Sequence, residues 1–178
     1  MLSPAILVKN ELEELYKTTW FDDRYMYFHN GVYADNLQIS DNTYKCHQFA
    51  SIYNGNVIGY IGYAVSRPDD AVAGIAAIHF MDTPYPNSSI VFGVDLCHAL
   101  RDIFEKYKFR KISFTVTRGN PIEKSYDKLI KKYGGRIVGV YHKDVRLTDG
   151  EYHDQKIYEI MAEDYFCSVP LSRKNRKM

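Results

Sequence analysis

Residues 110–135 read RKISFTVTRGNPIEKSYDKLIKKYGG, a strand handing over to a helix with clear punctuation. Ile112, Phe114 and Val116 alternate with Ser113, Thr115 and Thr117, the pattern of a strand with one buried face. Asn120 stands where a helix N-cap belongs, Pro121 at the first helical position and Glu123 at the third. Asn accepts from an orphan amide, Pro has no N–H to leave unpaired there, and Glu reaches back as in a capping box. Ile122, Tyr126, Leu129, Ile130 and Tyr133 then recur at helical spacing and make one apolar face. Lys131 and Lys132 suit the negative end of the helix dipole, and Gly134 suits a left-handed cap.

Working outward, the upstream chain predicts strands over 45–53 and 57–66 around Asn54-Gly55-Asn56, a hairpin signal because Asn and Gly tolerate positive φ. A turn at Arg67-Pro68-Asp69-Asp70 leads into a strand over 72–81. Residues 82–92, DTPYPNSSIVF, carry two prolines and little periodicity and read as a loop. Leu96, Cys97, Leu100, Ile103, Phe104 and Tyr107 give the apolar face of a helix ending near Lys108. An amphipathic helix over 4–17 opens the chain. Residues 137–147 and 155–162 close it as a hairpin around Asp149-Gly150. Helices fall between strands only in the middle, so the fold class is α+β, a mixed and mostly antiparallel sheet flanked by helices.

A chain of 178 residues is most simply one domain, here 1–166, followed by a basic tail, 167–178, that reads as flexible. The net charge of +1 offers no global argument for nucleic acid or a membrane as partner. Cys46, Cys97 and Cys167 are odd in number and widely spaced, as in a reducing compartment. No apolar run reaches the ~20 residues that span a bilayer, and no signal pattern opens the chain. The expectation is a cytoplasmic protein, monomeric or homodimeric. Sixteen tyrosines are many, and a phenol needs a polar partner when buried, so a cleft is a natural place for some.

The order of these features resembles the GCN5-related N-acetyltransferase (GNAT) superfamily, especially its branch of ribosomal-protein N-terminal acetyltransferases. Residues 104–111 match that branch's basic turn, 112–117 its strand, Asn120 its Asn, and Tyr126-Asp127-Lys128-Leu129 its helical run. Gly134-Gly135 stands where Gly-Phe is usual, and residues 149–154, DGEYHD, lie close to its last hairpin. The resemblance implies a splay between the fourth and fifth strands that holds acetyl-CoA as co-substrate, with no metal. The pyrophosphate would lie on amides at the start of the next helix, as helix N-termini favour anions.

By the same resemblance, Phe80, Asp82, Asn87, Ser88, Ser89, Ile90, Gly93, Asn120 and Tyr126 would contact the cofactor. At the superfamily's Arg/Gln-x-x-Gly-x-Gly/Ala positions stand Asn87, Ile90 and Phe92. The last two would place side chains where glycine lets the backbone approach a phosphate. Tyr126 matches the family's acid, although its place on an apolar helix face explains it equally by packing. His79 and Asp82, at the end of the strand that would meet the acetyl group, are the candidate bases. A hydrogen-bonded strand histidine is the plainer account of His79. The aromatic stretch Trp20, Phe21, Tyr25, Tyr27, Phe28 and Tyr33 would wall the acceptor site, or equally pack against the sheet.

Other constellations are weak. His142, His153 and Asp154 lack the spacing of metal ligands. Gly55, Gly59 and Gly62 fall in a hairpin and strand, not in a strand-to-helix phosphate loop. Two functions follow: an acetyl-CoA-dependent N-acetyltransferase acting on an amine of a small molecule or protein, or a GNAT-fold module that binds or regulates without catalysis.

Overall fold

The computed structural model describes residues 1–29, 37–67 and 71–169. The 68–70 turn, Tyr33 and the basic tail from residue 170 onward lie outside them. Among the described residues one sheet holds seven strands: β1 (Leu2–Pro4), β2 (Cys46–Tyr53), β3 (Asn56–Arg67), β4 (Ala71–His79), β5 (Lys111–Thr117), β6 (Arg136–Arg146) and β7 (Tyr152–Met161). Their order is β1-β2-β3-β4-β5-β7-β6. Every neighbouring pair is antiparallel except β4 with β5. The α-helices are α1 (Lys9–Thr18), α2 (Ser88–Arg101), α3 (Glu123–Lys132) and α4 (Ala162–Ser168). This is the α+β sheet with flanking helices that the sequence predicts.

Local chemistry accounts for the elements. The β2–β3 hairpin closes on Asn54 at φ +49° and Gly55 at φ +82°, a pair of positive φ angles that twists with the strands. At the end of α3, Gly134 takes φ +70° and the Gly135 N–H donates to the Ile130 carbonyl at 2.9 Å. The start of α3 differs from the sequence reading. The Asn120 side chain accepts from the Ile122 N–H at 3.0 Å, and the Glu123 carboxylate accepts from the Gly119 N–H at 3.3 Å. These bonds stabilise a turn one step ahead of the helix, so α3 begins at Glu123, not at Pro121. Asn120→Ala is therefore expected to cost about 0.5–2 kcal/mol, the range for a lost capping acceptor. Equilibrium unfolding checks this; a curve identical to wild type would mean the Ile122 amide is equally well satisfied by water.

Four further boundaries are corrected. α2 begins at Ser88, so the loop predicted over 82–92 ends at Asn87. Residues 4–17 divide into the end of β1, a 3-10 turn over Ala5–Val8 and α1. The helix predicted to run to Lys108 leaves α geometry after Arg101 and closes with a π-turn over Asp102–Lys106. There the Tyr107 N–H donates to the Asp102 carbonyl at 2.9 Å. The last strand ends at Met161, and α4 follows it.

Two buried clusters cover the two faces of the sheet. The larger gathers Leu100, Ile103 and Phe104 from α2 and its π-turn with Ile112, Phe114, Tyr158 and Ile160 from the strands. The smaller packs Leu12 and Tyr25 against Ala50, Tyr60, Ile78 and Phe80. Gly59 is required by close approach: a Cβ there would fall 2.5 Å from the Phe92 ring, so Phe92 lies flat on the β3 backbone.

Three histidines are held neutral inside this fold. His29 and His47 are 5% exposed, and burial pushes both below the ordinary imidazole value, as it does His79. Below an unfolded pKa of about 6.5 the unfolded chain therefore binds more protons than the native one. Their stabilising contribution is complete above that pH and lost as pH falls through the lower native values. Melting temperature is expected to drop between pH 7 and pH 5, above the range where carboxylates titrate. A flat melting temperature over that interval would show that these rings carry no pH-linked stability.

Candidate active site

β4 and β5 pair only at Ala71 with Lys111 and Val72 with Ile112. Beyond those residues the strands diverge, and a cleft of about 720 Å³ opens between them. Counting β1, which the sequence reading missed, this is a divergence of the fourth from the fifth strand. From β4 the cleft is lined by residues 75–79, and from β5 by Thr115, Val116 and Thr117. One face of α2 contributes Ser89, Phe92, Gly93, Leu96 and Cys97, and the entry to α3 contributes Asn120, Pro121, Ile122, Ser125 and Tyr126. On the other side of the sheet stand Tyr16, Arg24, Tyr27, Phe28, Leu37 and Tyr60.

Of the candidates read from sequence, Tyr126, His79, Ser89, Gly93 and Asn120 come together on this cleft. The half-buried Tyr126 ring meets Phe114 edge-on at 5.0 Å and Tyr158 at 6.1 Å. No hydrogen bond to its hydroxyl is found among the described residues, and burial pushes its pKa up to about 12. His79 Nε2 lies 3.1 Å from the Ser88 hydroxyl, which also accepts from Thr83 at 2.9 Å. Its ring rests against Phe92 at 5.4 Å.

The remaining candidates lie elsewhere. Phe80 is 3% exposed within the smaller core. Asp82 lines a separate hollow of about 170 Å³. Its exposed carboxylate accepts from Arg24 through two bonds of 2.9 and 2.7 Å, so a cation already occupies it. Asn87 precedes α2, makes no side-chain cap, and accepts at its carbonyl from the Ile90 and Val91 amides. Ser88 is buried, its hydroxyl committed to His79 and Thr83. Ile90 is 66% exposed on the outside of α2, and Phe92 points into the core, so neither stands over the helix start as the sequence reading expected.

The aromatic stretch divides. Tyr27 and Phe28 reach the cleft, whereas Tyr25 is buried and its hydroxyl oxygen accepts from the Met81 N–H. Phe21 is 96% exposed, away from the cleft. Sequence reasoning missed Tyr16 and Tyr60. They sit on a helix and a strand far apart in the chain, and only the core between them brings both to one wall. Among the described residues no group of three His, Cys, Asp or Glu side chains is placed to hold a metal ion. No helix among them is long and apolar enough to cross a membrane.

No protein-family model matches the sequence, and no curated protein does. Solved structures do match. One, provisionally described as a phosphinothricin N-acetyltransferase, aligns over 91% of this chain and 98% of its own, with a TM-score of 0.64 and 17% identity. Another, provisionally described as an acetyltransferase, aligns over 69% of this chain and 60% of its own, at 0.56 and 20%. RimJ from Mycobacterium smegmatis, in complex with CoA-disulfide, aligns over 67% of this chain and 55% of its own, at 0.53 and 16%. This chain thus spans less than two thirds of the length of several such neighbours. A mostly antiparallel sheet whose one parallel pair splays into a cleft, and these likenesses in architecture, give the chain the fold of the GNAT acetyltransferases.

Proposed function

We propose that the protein moves an acetyl group from acetyl-CoA to a primary amine of a small molecule or protein, by direct transfer within the β4–β5 cleft. The observation that carries this is the cleft itself, with Tyr126 and His79 both on its lining. β4 from residue 74 onward has a free edge there, and such an edge suits the amide-rich pantetheine arm as an added strand. Gly93 faces open space and Ser89 lines the same wall, so this turn of α2 leaves room for the donor.

In the reaction, the neutral amine nitrogen attacks the thioester carbon, the C–S bond breaks, and the thiolate departs. His79, kept neutral by burial, would take the amine proton. That role requires the tautomer in which Nε2–H donates to Ser88, leaving the Nδ1 lone pair for the substrate. Tyr126 would donate its hydroxyl to the developing thiolate. Asp82, held by Arg24, takes no part in this scheme.

One observation favours the second reading, a GNAT-fold binding or regulatory module. The amides of Ser88, Ile90 and Val91 are already bonded to the Tyr85 and Asn87 carbonyls, which leaves the start of α2 few donors for a phosphate. Thermal melting with acetyl-CoA and with CoA, beside an assay of thiol release in the presence of amines, separates the two. A ligand at a hundredfold excess over its dissociation constant stabilises the native state by about 2.7 kcal/mol. The expected result is such a shift with both ligands. No shift with either at millimolar concentration would rule out the transferase.

A further inference from the structure

His79 touches more than the cleft. Its Nε2 lies 3.1 Å from the Ser88 hydroxyl, which lies 2.9 Å from the Thr83 hydroxyl. Both separations are within hydrogen-bond reach. His79 lines the cleft, whereas Thr83 lines the separate hollow of about 170 Å³. Ser88 is 5% exposed and lines neither, so it is the buried link between the two. Glu11, Asn56, Asp82 and Pro84 on the lining of the hollow are exposed, so the hollow meets solvent there. A continuous chain of hydrogen bonds thus leads from the cleft to a second opening. Its middle member is no nucleophile, because Ser88 does not line the space an acyl group would enter.

We propose that Ser88 and Thr83 relay the amine proton from His79 to the second hollow. The inference rests on the acetyl-transfer reading of the cleft, with His79 as the base. Donor and amine together displace water from the cleft at the moment of transfer, so the proton needs another way out. An imidazolium held there is costly, since burial already disfavours the charged ring. A hydroxyl can accept one proton while it donates its own, and its hydrogen rotates freely to do so. As the amine N–H bond breaks, its proton goes to His79 Nδ1 and the Nε2 proton passes to Ser88 Oγ. The Ser88 proton passes to Thr83 Oγ1, and the Thr83 proton to water in the hollow. One proton has then left the cleft, and ring and hydroxyls are all neutral. The ring is left protonated on Nδ1. Loss of that proton to the emptied cleft, with one returning through Thr83 and Ser88 to Nε2, restores the starting tautomer.

Thr83→Val on the full chain is the test, because it removes the far hydroxyl, keeps its shape and leaves the contact between Ser88 and His79 in place. Thiol release from acetyl-CoA is followed in a single turnover, so that product release does not mask the step, with any amine the wild type accepts. The expected result is a fall of at least tenfold in that rate with acetyl-CoA affinity within twofold of wild type. Thr83→Ser, which returns a hydroxyl, is expected to recover most of the loss. Added imidazole, a small base able to take the proton in place of the relay, is expected to speed the Thr83→Val protein and not the wild type. A wild-type rate in Thr83→Val overturns the relay. If Ser88→Ala alone is slow beside it, Ser88 only orients the imidazole. Should Thr83→Val fold poorly, Thr83→Ala carries the same comparison. A second readout needs no turnover: exchange of the His79 ring N–H with water, followed by NMR on protein labelled with ¹⁵N-histidine, with and without CoA. Thr83→Val is expected to slow it at least tenfold with CoA bound. Absence of thiol release from the wild type sinks acetyl transfer instead, and the exchange rates still decide the relay. Equal rates in wild type and Thr83→Val overturn it.

Discussion

Phe92→Ala is expected to cost about 3–5 kcal/mol of folding stability, the range for removing a buried aromatic ring. Phe92 is 8% exposed, lies against the backbone at Gly59 and touches the His79 ring. The space left there is bounded by the β3 backbone at Gly59 and the His79 ring and opens on the cleft, and the backbone cannot collapse into it readily. Against a total of about 5–15 kcal/mol for a typical domain, the loss is a large fraction. Two residues away, Ile90→Gly is expected to cost only about 1 kcal/mol of helix propensity, because Ile90 is 66% exposed. The contrast bears on the cofactor. Replacing both residues by Gly to open a phosphate site would remove a pillar of the core and nothing that blocks the helix start. Urea unfolding of the two single variants checks the assignment: Phe92→Ala within 1 kcal/mol of wild type would mean that its ring is not part of the core.

The strand and helix of residues 110–135 were legible because period-two alternation and period-3.6 recurrence are written in the chain locally. Their junction was less so. Asn120 does bond the Ile122 amide as a cap at that position would, but Glu123 reaches the Gly119 amide instead of that of Asn120, and the helix starts two residues later than the residue types signal. β1 is three residues long and exists through its pairing with β2, some fifty positions away, so no local pattern marks it. The π-turn at Asp102–Lys106 adds a residue to a turn inside an otherwise regular apolar face, which periodicity alone does not reveal.

The site was legible in part, for a similar reason. Tyr126, His79, Asn120, Ser89 and Gly93 could be placed by their positions at the ends of elements, which a splayed sheet brings together. Asp82 could not be judged, because its fate depends on Arg24, 58 residues earlier. Phe80 and Ser88 each lie one residue from a cleft-lining neighbour and face the other way. Strand alternation sends Phe80 into the smaller core, and the first turn of α2 aims Ser88 at His79. A shift of one residue decides function against packing at both places.

Tyr126→Phe is the substitution expected to affect turnover most among those that leave the fold intact. It keeps the ring that packs edge-on against Phe114 and Tyr158, and no hydrogen bond of the hydroxyl among the described residues is lost with it. Unfolding should therefore stay near wild type. The chemistry should not. A pKa near 12 keeps the phenol protonated throughout the working range, so the hydroxyl is always available as a donor. It also makes full proton transfer to a thiolate uphill by about 1.4 kcal/mol for each unit of mismatch. The same burial that raises the phenol would raise the basicity of a thiolate beside it as well, and the two effects partly cancel. Donation to the developing charge, with or without complete transfer, is the role left to this hydroxyl. Loss of such a donor lowers kcat about 10²–10³-fold, and loss of a general acid about 10²–10⁴-fold. The expected result is a fall of at least a hundredfold in kcat with acetyl-CoA affinity unchanged, a loss confined to the transition state. Full activity in Tyr126→Phe, on any amine the wild type acetylates, would reduce Tyr126 to a packing residue on the cleft wall.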